Sequence, residues 1–149
     1  AKADGAALFM WESTEQDADL EGVFGRAWDA DGVPGAEFRV NCHQQYGQEE
    51  PRAAAFSDGG FVVVWEGIGP WSPGGNVHGQ RYDAAGNRLD SAFQPNTYLE
   101  YMGKQRKFPK VAVFTDDSFI VVWASSSQAN FGWQIFAQRY TKDGAKIYH

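Results

Sequence analysis

Cysteine is almost absent from this chain of 149 residues: Cys42 stands alone, and a single cysteine forms no internal disulfide. It reads as a plain thiol beside a strand end, with pairing between chains as the alternative. Basic residues are outnumbered, 13 Lys and Arg against 19 Asp and Glu, which gives a net charge of −6 and a pI near 4.9. A phosphate backbone is repelled by such a surface, so nucleic acid is not an expected partner. No apolar run approaches the roughly 20 residues that span a bilayer. The longest, Phe61 to Trp65, has the size of a strand. The chain begins at Ala1 with neither a methionine nor a signal-like segment, the expectation for a mature form or an excised piece.

What the chain does contain is 43% apolar and 15% aromatic residues, with 17 glycines and six prolines. That is enough apolar surface for one compact domain, and the glycine and proline content suits many short strands joined by turns. Disorder is excluded by the apolar content.

The chain repeats itself. Three β-rich runs end in tryptophan: DGAALFMW at Trp11, DGGFVVVW at Trp65 and DDSFIVVW at Trp123. Seventeen residues after each comes an aromatic, Trp28, Tyr82 and Tyr140, closing GRAW, GQRY and AQRY. The copies begin 54 and 58 residues apart while the seventeen-residue interval is constant, so length variation is confined to one connection per unit. A fourth strand, EFRVN or SAFQPN, follows, and a proline-led strand, PRAAAF or PKVAVF, precedes the next tryptophan strand. The links inside each hairpin are short and rich in Asp and Gly, as hairpin turns require. The remaining links are long and emerge at the opposite end.

Along the tryptophan strand both faces are apolar, with Phe61, Val63 and Trp65 on one and Val62 and Val64 on the other. A strand apolar on both faces lies between sheets rather than against water. The expectation is one all-β domain, residues 1–149, of three tandem four-stranded antiparallel units of the β-propeller blade type, the first without its proline-led strand and the third with KIYH as a stub of its fourth. Their bounds are about 1–50, 51–108 and 109–149. A β-trefoil or a β-prism remains the alternative.

The ordered motifs DGGFVVVW, GQRYDAAG, EFRVN and PRAAAF resemble the tandem repeats of large bacterial secreted and surface proteins, often found beside calcium-binding glycine-rich repeats. The resemblance covers essentially the whole chain. It implies an extracellular or cell-surface, multi-blade, adhesion-like setting rather than a defined activity.

Chemistry-bearing motifs are few. His43, His78 and His149 form no zinc-binding spacing, and there is no nucleophile elbow and no phosphate-binding loop. Calcium is an open question: Asp17, Asp19 and Glu21 in TEQDADLEG are the best ligands on offer, and WDADG at Asp29 to Gly32 reads as a plain turn. No other cofactor is indicated. Glu12, Glu49, Glu50, Glu66 and Glu100 share the long-loop end, where a glycosidase-type pair would need a raised pKa to stand out.

That end also gathers Tyr46, Trp71, Asn76, Tyr101, Asn130, Phe131, Trp133 and Gln134. Rings stack on the apolar face of a pyranose while amides take its hydroxyls. The leading functional expectation is therefore a non-enzymatic extracellular recognition or adhesion module, lectin-like in binding carbohydrate through these loops, whose partner is a glycan or cell-surface component. An assembly subunit completed by another chain is the second reading, as a homo-oligomer or part of a longer array, and a glycan-active enzyme is the third. Trp11, Trp65 and Trp123 are read as scaffold. So are Arg81 and Arg139, expected to tie the hairpins of a blade through Asp58 and Asp116.

Overall fold

The computed structural model of the chain describes residues 5–14, 21–41, 47–69, 72–95, 105–126 and 132–148, with backbone only at 68, 69 and 72–74. The described residues form eleven strands in three antiparallel sheets. The first sheet runs β1 (Ala7–Ser13), β2 (Gly22–Trp28) and β3 (Pro34–Arg39). The second runs β4 (Gln48–Ala55), β5 (Phe61–Gly69), β6 (Ser72–Tyr82) and β7 (Arg88–Phe93). The third runs β8 (Arg106–Val113), β9 (Phe119–Ser126), β10 (Trp133–Tyr140) and the two-residue β11 (Lys146–Ile147). Each sheet is a simple meander. The sheets stack face to face in a propeller-like arrangement and do not close into a barrel, unlike the trefoil alternative. The first sheet has three strands among the described residues and the third ends in the two-residue β11, the order expected of a first unit without its proline-led strand and a last one ending on a stub at KIYH. No helix among the described residues is long and apolar enough to cross a membrane.

Two apolar layers hold the stack. Between the first and second sheets lie Val23, Val40, Phe61, Val63, Trp65 and Tyr82, with Leu8, Met10 and Phe38 against them. Between the second and third lie Val62, Val64, Val77, Phe119, Val121, Trp123 and Tyr140. β5 is thus covered on both faces, and Val62, Val63 and Val64 each have 0% exposure. Burying side chains of this size contributes roughly 1.5–3 kcal/mol each.

Two repeated details lock the layers. Gly25 faces Phe38 and Gly79 faces Phe93 in the ladders. A Cβ at either glycine would collide with the ring. The absence of a side chain lets each phenylalanine lie down on its own sheet and meet the next, where Phe93 packs 5.1 Å from Tyr140 and Phe38 packs 5.6 Å from Tyr82.

The lead strands begin ahead of their prolines, at Gln48 and Arg106. Pro51 and Pro109 sit at ladder irregularities, where a missing N–H does least harm. The residues before them, Glu50 and Phe108, take left-handed φ of 55° and 58°, which turns each backbone N–H out of the ladder.

Candidate functional site

Those turned-out N–H groups meet carboxylates. The Phe108 N–H donates to Glu66 Oε1 at 2.6 Å, and the Glu50 N–H donates to Glu12 Oε1 at 2.6 Å. Glu12 and Glu66 directly follow Trp11 and Trp65, so one repeated device ties the end of each tryptophan strand to the bulge of the next sheet. In the third sheet the position is Ala124.

The second sheet adds something that is not repeated. Glu49 stands directly opposite Glu66 in the β4–β5 ladder, and the counterpart pair in the third sheet is Lys107 and Ala124. Like charges facing each other across strands repel, and Glu66 is only 8% exposed. Loss of hydration pushes the Glu66 carboxyl above its ordinary range, and the charges of Glu49 and Glu50 push the same way. The Phe108 N–H and Lys107, 3.9 Å from Glu66, oppose that rise. Glu50 is held by Arg52 at 2.6 Å.

The bulge residue also joins an aromatic surface. Phe108 and Trp133 are 56% and 50% exposed, with ring centroids 6.3 Å apart. The Phe108 N–H reaches Glu66, whereas Trp133 shares its strand face with Ile135, the face of the third sheet turned away from the second. Arg106 donates to Asn76 Oδ1 at 3.1 Å, and both are buried at the seam between the second and third sheets. Burial alone lowers the Arg106 pKa.

Of the aromatic and amide residues expected at the long-loop end, Trp133 is exposed on the outer face of the third sheet, Gln134 is exposed next to it on β10, and Asn76 is a buried seam residue. Tyr46, Trp71, Tyr101, Asn130 and Phe131 lie outside the described residues, as do Asp17, Asp19 and Cys42. Glu21 is described: its carbonyl accepts from the Gln48 N–H at 2.8 Å. Among the described residues no group of His, Cys, Asp and Glu has the arrangement of a metal site. Sequence reasoning placed Glu49 and Glu66 at this end without pairing them, and it missed Phe108. The signal was the bulge before Pro109, which shifts Phe108 off the ladder.

The scaffold residues sort as follows. Trp11 stacks on Phe24 and Trp123 on Phe136, while Trp65 stacks on His78 and donates through Nε1 to Gln48 at 2.8 Å. Arg139 ties its own hairpin, bonding Asp116 Oδ2 at 3.2 Å and Ser118 Oγ at 2.7 Å. Arg81 departs from that expectation. It pairs with Asp90 of its own sheet and donates to the Lys142 carbonyl of the next at 2.7 Å, and Asp58 instead takes the Lys142 ammonium at 2.8 Å. A neighbouring sheet brings a cation nearer to Asp58 than the hairpin's own arginine does.

The stacked antiparallel sheets are those of a propeller-like all-β protein. No protein-family model matches the chain, and no curated protein matches it. Solved structures do. A thermostable family-43 glycoside hydrolase superposes with a TM-score of 0.59 at 12% identity, over 97% of this chain and 54% of that one. The endo-arabinase of Bacteroides thetaiotaomicron gives 0.57 at 10%, over 99% and 58%. The alpha-L-arabinanase of Penicillium chrysogenum, solved with arabinobiose, gives 0.61 at 13%, over 96% and 44%. The chain spans about half the length of these proteins. At such identities the likeness establishes the fold. It also corrects the expectation of a non-enzymatic recognition or adhesion module, because the solved proteins sharing this architecture are glycoside hydrolases.

Proposed function

We propose that the chain is a glycan-active propeller segment, acting on a polysaccharide through the carboxylates at the long-loop end of its second sheet. The observation that carries this reading is the opposed pair Glu49 and Glu66, with Glu66 desolvated. The likeness to glycoside hydrolases supports it.

Glycoside hydrolysis needs one carboxyl that keeps its proton to give to the leaving oxygen, and a second that stays charged. Burial and then neighbouring negative charge raise the pKa of Glu66, the direction a proton donor needs. Glu49, less buried on the lead strand, is the second carboxyl of the pair.

The test is sugar release from a panel of plant and microbial polysaccharides, read as new reducing ends. Glu66→Gln keeps the acceptor for the Phe108 N–H and removes the acidic proton, so it should lose activity by at least about 100-fold while keeping its unfolding midpoint. Equal activity in wild type and Glu66→Gln, or none in either, contradicts the reading.

A further inference from the structure

Both outermost faces of the stack are built like its internal layers and are left uncovered. On the third sheet, Ile135 occupies the place that Val23 and Val77 hold in the first and second. Those two valines have 0% exposure and Ile135 has 73%. Ile120 and Val122, at the positions of Val62 and Val64, are only half-buried. On the first sheet, Phe9 occupies the place of Val63 and Val121, which have 0% exposure, and is itself 55% exposed. Trp28, in the place of Tyr82 and Tyr140, makes an edge contact with Phe9 at 4.8 Å.

We propose that these two faces join, head to tail, between two copies of this chain, forming one ring of six blades. The internal layers set the pairing rule. In both, the face of one sheet carrying the Val23 and Val77 position meets the face of the next carrying Phe61 and Tyr82 or Phe119 and Tyr140. The free face of the third sheet is of the first kind, and the free face of the first sheet is of the second kind. The described residues of each chain therefore carry both halves of one further layer, at opposite ends of the stack.

Details fit this partner. The third sheet has Ala137 where the others have Gly25 and Gly79. A methyl group fills the space that takes a phenylalanine ring in the other sheets, and the first sheet brings other bulk to the layer, Phe9 for valine and Trp28 for tyrosine. Ala124 lacks the carboxylate of Glu12 and Glu66. The copy number follows from closure. A heterologous contact must form a ring or run on as a filament, and propellers close with about four to eight blades. Two copies of three fall in that range, and three copies do not.

This inference is independent of the glycan reading, since it concerns faces away from Glu66 and is read from mass. Light scattering of the 149-residue chain across a hundredfold concentration range should give twice the 16.5 kDa of one chain. Phe9→Asp and Ile135→Asp each change an exposed side chain and should leave the circular dichroism spectrum unaltered while giving monomers. An equimolar mixture of the two variants retains one intact head-to-tail layer per pair and should recover the dimer. A wild-type monomer at every concentration, or a mixture that stays monomeric, overturns the proposal.

Discussion

Glu66 shows how one side chain can serve two ends. As an acceptor it fixes the bulge of the third sheet through the Phe108 N–H, and as a desolvated acid it carries a raised pKa. The two roles separate by substitution. Glu66→Ala removes the acceptor and should cost about 1–3 kcal/mol in urea unfolding, whereas Glu66→Gln keeps it and should leave the midpoint close to that of wild type. The sign of the pH effect is fixed too. A carboxyl whose folded pKa lies above its unfolded value favours the folded state while protonated and loses that advantage as pH rises through the raised pKa. Replacement by glutamine should therefore help most above that point. Gly79 makes the complementary case in the core: a methyl group there overlaps the Phe93 ring, so Gly79→Ala should lower stability by about 1–3 kcal/mol through overpacking.

At the scale of elements, the short turns do more than reverse the chain. Asp117, at left-handed φ of 59° in the β8–β9 turn, accepts from the Ser57 N–H at 2.8 Å and its hydroxyl at 2.6 Å, and binds the Lys142 ammonium at 2.9 Å. These contacts, the Ser57 hydroxyl first, hold its pKa at about 2 against an ordinary 3.8. A depressed pKa contributes stability above the unfolded value and loses it as pH falls through the folded one. Urea titrations between pH 5 and 2 should show wild type losing stability across that window more steeply than Asp117→Asn. Equal slopes would mean that the turn does not link the second and third sheets. Much of this level was legible beforehand. The seventeen-residue interval and the Asp-Gly turns marked the hairpins, and the two-faced apolar run of β5 marked a strand between sheets. The bulges were not legible, because proline announces that a ladder donor is missing and does not say on which side the strand resumes. Nor was the exchange of Arg81 for Lys142 beside Asp58, since it depends on which sheet lies next.

At the scale of the whole molecule, the repeats make a scaffold and the departures from repetition supply the proposed site. The fold class followed from periodicity. The proposed site did not, because Glu49 and Glu66 come from two strands, and ordinary carboxylates look no different in a sequence until burial singles one out. The non-enzymatic reading rested on aromatics and amides at the long-loop end and on the resemblance to surface-protein repeats, and neither separates recognition of a glycan from its hydrolysis. The central claim is that the unrepeated pair Glu49 and Glu66 cleaves glycosidic bonds. Its most direct test is the appearance of new reducing ends from a polysaccharide panel, with Glu66→Gln beside the wild type. Sugar release by the wild type, reduced at least about 100-fold in a folded Glu66→Gln variant, is the predicted result. Release that survives the substitution, or a wild type inert on every polysaccharide, contradicts it.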